Sequence, residues 1–436
     1  MRAVQKSLTL PDGTVPQAVI TVEASNQYLR TFVIAIELAN MEQAGCHIEM
    51  RKLHGCLETV VPLLLLQLVN GCGGSSSMPA PSPAPAQVIA TVGVGVDPVS
   101  VAVNSATNRI YVANRGDGIT PGSVMVIDGT TNSVDATVPV GLGPCGIAAN
   151  SLTNKIYVTN SYEDSLTVID RATNQTQLIF FDTGSFPCEL AVNTATNKIY
   201  VVNGGRNVVA VVDGASNSAT RIPVAKLPEH IAINPVTNKI YVGNSISASR
   251  GSGANLTVID GATNQTSVVA LDSAAYPTLD VAVNPLTDKV YVGGGGIVTI
   301  FDGTTLASST ITAGDGLALL ALNASTNKIY VVNNSTDSLT IIDGATLNAL
   351  TVPTGQYPAF ITVDEAKNQI YVVNRDSATV TVIDGASNAT GTLPVDVSPI
   401  REALNPTTHR VYVVNACGKN PKCGDNGTLT VIDGPH

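Results

Sequence analysis

The sequence predicts an all-β protein in which eight four-stranded antiparallel units close into a ring. Three observations carry that expectation. One hairpin motif recurs eight times, each copy holds four short apolar runs, and the two ends of the repeated region complement each other. The tyrosine of the motif falls at Tyr111, Tyr157, Tyr200, Tyr241, Tyr291, Tyr330, Tyr371 and Tyr412. An aspartate closes the following strand at Asp128, Asp170, Asp213, Asp260, Asp302, Asp343, Asp384 and Asp433. A period of roughly 40 to 50 residues with four strands per period is the mark of an eight-bladed β-propeller. A lone blade leaves both faces bare, so blades stack radially to cover them.

Each element follows from local chemistry. In the second copy the runs are GIAAN at 146–150, KIYVT at 155–159, LTVID at 166–170 and QLIFF at 177–181. The Asn-x-x-Thr-Asn pattern between the first two runs offers side-chain acceptors to a turn backbone. Asp-Gly after the third run favours a tight hairpin, on the expectation that both residues tolerate positive φ. The repeated tyrosines read as packing between blades, each hydroxyl meeting a partner or water. The last copy stops at VIDGPH without a fourth strand, whereas VIATVGV (88–94) stands before Pro98 as a fourth strand without a blade. Pairing the two completes the eighth blade and removes an open edge.

The chain ahead of residue 88 has a different character. Met50 opens MRKLHGCLETVVPLLLLQLVNGCGGSSS, with Arg51 and Lys52 before an apolar run at Val60–Val69 and then Gly71-Cys72. The run is too short for a membrane-spanning helix of about 20 residues. Residues 50–72 resemble a bacterial lipoprotein signal peptide with Cys72 as the acylated residue, implying export and a membrane anchor. Residues 73–87 form a Gly/Ser/Pro/Ala tether with no capacity for a core. If Met50 begins the signal, residues 1–49 are expected to be sequence translated upstream of the true start.

Composition agrees with an exported, strand-rich chain. Of 436 residues 44% are hydrophobic, only 4% are aromatic and Trp is absent, a mixture suited to short strands and turns. The formal charge is −10, from 23 basic and 33 acidic residues, and no basic run is interleaved with aromatics. Nucleic-acid binding is not expected; the acidic balance suits a solvated extracytoplasmic surface of a monomer. In an oxidising compartment Cys417 and Cys423, which bracket a short polar loop, are expected to form a disulfide. Cys145 and Cys188 hold matching positions in successive repeats and form a second candidate pair.

The literal YVTN at Tyr157-Val158-Thr159-Asn160, with YVVN at Tyr200, Tyr330, Tyr371 and Tyr412 and recurrent VIDG, resembles the YVTN family of β-propeller repeats over residues 88–434. The resemblance implies a bacterial or archaeal surface or envelope protein, usually without a defined activity. Familiar members often have seven blades, so eight is a departure. Similar propellers include lactonases and a streptogramin lyase.

Candidate functional residues emerge where the repetition stops. Long insertions occur at Arg115–Gly122, Ser245–Ala254 and Ala416–Gly427, all on one face of the expected ring, and function on a rigid scaffold usually sits in such loops. Aligned on the Asn or Asp ending each innermost strand, the column four residues earlier reads Ser100, Gly146, Glu189, His230, Asp280, Leu319, Phe360 and Arg401. These side chains are expected at the mouth of the central channel on the variable-loop face. Glu189, His230 and Asp280 would line one arc and could hold a divalent cation or act as acid and base. Glu229 would add a carboxylate, and Arg401 could hold an anionic ligand group. A hydrated mixed-charge lining without a ligand explains the same column. His409, in a turn on the opposite face, reads as a solvated side chain. The repeated Asp of VIDG is accounted for by its turn, since calcium needs six or more converging oxygens.

These readings lead to a lipid-anchored envelope propeller that binds a small ligand or an envelope protein through its variable-loop face. The alternatives are a metal-assisted lyase or lactonase-like enzyme, and a structural surface-layer protein. No HExxH, P-loop, GxSxG or paired CxxC motif occurs in the repeats, which weighs toward the non-enzymatic reading.

Overall fold

In the computed structural model, residues 18–25, 31–38, 85–245, 253–271, 279–316, 318–419 and 426–434 are described. Cys423, the signal segment at 50–72 with Cys72, and the tether as far as residue 84 lie outside these residues. The chain divides into two compact units, Met1–Ser82 and Pro83–His436. The described part of the first is a two-stranded antiparallel ladder of Ala18–Ser25 and Thr31–Leu38.

The second unit is the eight-bladed β-propeller, each blade a four-stranded antiparallel sheet, with no helix among the described residues. Seven blades are contiguous: 98–139, 144–180, 187–223, 228–270, 280–312, 318–353 and 358–394. Blade 8 combines both ends of the unit. Its strands Pro399–Asn405, Arg410–Asn415 and Asn426–Asp433 are completed by Gln87–Val96, which pairs antiparallel with Asn426–Asp433 from Gln87↔Asp433 to Val96↔Asn426. Each inner strand lies beside those of its two neighbours, and Pro399–Asn405 meets Pro98–Asn104 to close the circle.

Eight apolar clusters fill the eight interfaces between blades. Each joins the tyrosine face of one blade to strands of the next, as Tyr111, Val124 and Val126 meet Ile147, Ile156 and Val158. All eight tyrosines are essentially fully buried. Burial pushes their phenols up, to about 12 for Tyr157, Tyr241 and Tyr330. Their hydroxyls make no hydrogen bond of ordinary geometry to protein. In five blades, however, the motif threonine four residues earlier faces the hydroxyl, as Thr153 faces Tyr157.

The repeated polar letters have structural causes. The Asn ending each inner strand caps its own turn, as Asn150 Oδ1 accepts the Leu152 N–H at 3.1 Å, and then donates to the next blade, Asn150 Nδ2 to Asn197 Oδ1 at 2.9 Å. That recipient, the second Asn of the motif, sits at positive φ in the turn, 53° at Asn197. The motif lysine reaches the glycine carbonyl of the next VIDG, as Lys155 Nζ does to Gly214 O at 2.7 Å. In the VIDG turn, the Asp260 Oδ1 accepts N–H groups from Ala262 and Thr263. Here the structure corrects the sequence expectation. The left-handed residue is not in the Asp-Gly pair but is the residue four after the aspartate, such as Asn264 at φ 61°. The glycine is needed for close approach, because a Cβ on Gly129 would lie 2.3 Å from Asn108 Oδ1.

One junction breaks the pattern. Between blades 7 and 8 the inter-blade Asn pair is replaced by Asp364 and His409, with His409 Nδ1 2.8 Å from Asp364 Oδ2. The Asp364 side chain is 2% exposed. His409 is therefore a structural partner rather than a solvated turn residue: it fills, at φ 59°, the positive-φ position held by Asn in six blades and by Asp288 in blade 5, and meets a buried carboxylate. At the same junction Glu402 occupies a column that is Val101, Ile147, Leu190, Ile231, Val281, Leu320 and Ile361 in the other blades. Both of its carboxyl oxygens are buried without a hydrogen bond, and burial pushes the carboxyl well above its usual range.

Candidate functional site at the channel mouth

The inner strands bring the variable column to one rim of the channel. Most begin at a proline, and the preceding residue is held at positive φ, as at Phe186 (47°), Leu227 (57°) and Tyr357 (51°). For bulky residues this conformation is costly and persists only where the surroundings enforce it. Here a side chain in the preceding blade's second turn enforces it. Asp164 Oδ1 accepts the Phe186 N–H at 2.9 Å and Asp337 Oδ1 accepts the Tyr357 N–H at 2.8 Å. The aromatic rings of Phe186 and Tyr357 thereby reach the wall of a cavity of about 500 Å³ over blades 3 to 8.

The same cavity is lined by Glu189, Glu229, His230, Asp280, Phe360 and Arg401. Four of the charged groups are arranged in two pairs. Arg401 spans the mouth from blade 8 to blade 3, where its Nη2 donates to Glu189 Oε1 at 3.0 Å, and its guanidinium lies over the Phe360 ring at 4.0 Å. His230 Nδ1 stands 3.3 Å from Asp280 Oδ1. Asp280 also accepts the Leu320 N–H at 2.7 Å through Oδ2 and the Val281 N–H at 2.9 Å through Oδ1. Burial pushes the Asp280 carboxyl up, His230 and these two amides oppose the shift, and the charge of Glu189 adds to it. Glu229 accepts a short hydrogen bond from the Ser245 hydroxyl.

The geometry bears on each expected residue separately. Glu189, His230, Asp280, Glu229 and Arg401 share one cavity, but Glu189 faces Arg401 while His230 and Asp280 face each other. Among the described residues no three His, Cys, Asp or Glu side chains stand together as a ligand set for a metal ion. The column's Gly146 has a packing cause: a Cβ there would lie 2.2 Å from the Cys188 carbonyl oxygen. Cys145 and Cys188 form a disulfide across blades 2 and 3, with Cα atoms 5.0 Å apart, immediately before Glu189. Cys417 is also disulfide-bonded. Phe186, Tyr357 and Arg375 line the cavity without having been singled out from sequence; the signal for the first two is the residue preceding the inner-strand proline.

No protein-family model matches the chain, and no curated protein matches it by sequence. Solved structures do resemble it. Hydrazine synthase of Kuenenia stuttgartiensis aligns with a TM-score of 0.53 at 18% identity, over 77% of this chain and 95% of that one. A streptogramin B lyase aligns at 0.52 and 12% identity, over 66% and 93%. Virginiamycin B lyase from Staphylococcus aureus aligns at 0.52 and 10% identity, over 66% and 94%. At these identities the likeness is one of fold: the chain is a β-propeller.

Proposed function

We propose that the protein is a lipid-anchored cell-envelope propeller of the YVTN repeat type that binds an amphipathic ligand at its channel mouth. The observation that carries this reading is the convergence of six of the eight residues of the non-repeating column, Glu189, His230, Asp280, Leu319, Phe360 and Arg401, in a single cavity. Its walls are largely aromatic and aliphatic, and four of its charged groups are held in two pairs. A mostly apolar concavity with a small number of placed polar groups is the usual form of a ligand site. Paired charges are also ready to exchange partners with a ligand at little reorganisation. Anchoring rests on the Cys72 motif and the tether that follows it. The lyase or lactonase alternative has weaker support, because Arg401 engages the carboxylate that a cation at Glu189, His230 and Asp280 would need.

A thermal-shift screen of the full chain with amphipathic small molecules tests the binding reading. A ligand at 100 times its Kd should stabilise the fold by about 2.7 kcal/mol. The shift should vanish in Phe186→Ala and Phe360→Ala. Shifts that persist unchanged in both variants would refute a mouth site. Melting that falls on EDTA treatment and returns with a divalent cation would instead favour the metal-assisted alternative. Cys72→Ala should move the protein from the membrane fraction to the soluble one.

A further inference from the structure

A second cavity of about 610 Å³ opens on the same rim, over blades 1, 2, 7 and 8. Its charged residues are Asp97, Arg115, Arg375 and Arg401, a local excess of cations in a chain of net charge −10. Arg115 is engaged by Asp97, Nη1 to Oδ2 at 3.0 Å. Arg401 commits one nitrogen to Glu189. Arg375 differs from both. Its backbone N–H donates to Tyr357 O at 2.9 Å, yet its exposed guanidinium has no carboxylate partner among the described residues.

Two features make this more than a surface charge. Arg375 lies over the Tyr357 ring at 5.9 Å and Arg401 over the Phe360 ring at 4.0 Å, so adjacent blades hold both guanidiniums on aromatic beds. Both arginines also line both cavities. They stand as the partition between the two chambers, with most of their N–H edges uncommitted. A guanidinium fork matches the two oxygens of a carboxylate or phosphate, and an aromatic bed restricts it without neutralising it.

We propose that Arg375 and Arg401 form an oxyanion clamp that takes the carboxylate or phosphate group of the mouth ligand. The clamp deepens the mouth-binding reading and rests on it. The ligand's charged group sits at the partition, and its apolar body extends into the first cavity between Phe186 and Phe360. Glu189 is the clamp's internal occupant, and a ligand oxyanion competes with it for Arg401.

Isothermal titration of the purified full-length chain at low ionic strength tests the clamp, with acetate, benzoate and inorganic phosphate as probes. At least one probe should bind, and Arg375→Gln should weaken it about tenfold or more. Arg375 is exposed, so this variant should melt like the wild type. Arg221→Gln, on an outer strand and paired with Asp182, should bind as the wild type does. Benzoate binding more tightly than acetate supports a carboxylate ligand with a ring in the first cavity, and phosphate binding tightest assigns the clamp to a phosphate ester. No binding of any probe up to about 10 mM, or equal binding by wild type and Arg375→Gln, overturns the clamp. Screen ligands lost in Phe186→Ala but indifferent to Arg375→Gln would remove the clamp and leave the mouth site standing.

Discussion

Glu402→Leu should stabilise the propeller, and by an amount that grows with pH. Seven blades place Val, Ile or Leu in this column, while blade 8 buries a carboxyl whose oxygens find no hydrogen bond of ordinary geometry. Burial raises its pKa well above 4.5, against which only the Thr362 backbone N–H acts. Tyr371, a neighbouring titratable group, is itself pushed up by burial and by Asp364, Glu402 and Asp433, so it stays neutral and neither neutralises nor repels the carboxyl. The sign follows from linkage. Below pH 4.5 the carboxyl is neutral in both folded and unfolded chains, and only its lost hydrogen bonds matter, at about 1–3 kcal/mol. Above pH 4.5 the unfolded chain releases its proton while the folded chain retains it. Stability therefore falls by about 1.4 kcal/mol per pH unit until the folded pKa is reached. Leucine removes both terms, whereas Glu402→Gln removes only the pH-dependent one. Urea unfolding followed by far-UV circular dichroism at about pH 4.5, 6 and 7.5 measures all three chains. A leucine advantage that is flat with pH, or a less stable leucine variant at the highest pH, would refute this account.

Three further outcomes are expected. His409→Ala should lower stability by about 2–4 kcal/mol by stranding the buried Asp364 carboxylate, whereas Asp364→Asn with His409→Asn should restore the ordinary latch and stay within about 1 kcal/mol of wild type; urea midpoints compare them. Replacing Cys145 and Cys188 with serine reopens a loop with sequence separation 43, for a loss of about 4 kcal/mol in the chain-entropy estimate, read as a melting temperature lower than that of the oxidised wild type and a smaller further drop on adding reductant, which then acts on the Cys417 disulfide alone. Gly146→Ala should cost about 1–3 kcal/mol through overpacking against the Cys188 carbonyl, and a melting temperature equal to wild type would contradict the close approach.

Most of the ring was legible because a repeat multiplies weak signals. One Asn or one Asp is ambiguous, but eight at matched positions fix strands, turns and the closure of blade 8. The variable column was legible for the same reason, as the place where the average fails. The pairing within it was not, since Arg401 meets Glu189 across the mouth, through a reach that depends on ring curvature and rotamer. Other signals stand in the sequence as well. Asp364 and His409 each replace an Asn in adjoining repeats, and Glu402 replaces an aliphatic residue, so all three deviations point to one junction. The role of the VIDG glycine was misread because sequence alone does not separate a glycine needed for its backbone angle from one needed for lack of a Cβ.

The composite eighth blade also constrains the order of folding. Blades 1 to 7 are contiguous, so each can assemble from its own hairpins as soon as its residues are available. The ladder between Gln87–Val96 and Asn426–Asp433 joins segments separated by roughly 340 residues. Forming it from an otherwise open chain would cost about 3 kcal/mol more in closure entropy than a hairpin loop of about ten residues. Seven stacked blades shorten that search by carrying the two ends toward each other. The final step is then a docking event that depends on synthesis through Asp433, and until it happens the first strand waits with an unpaired edge, the interval in which the chain is most open to association with a second copy.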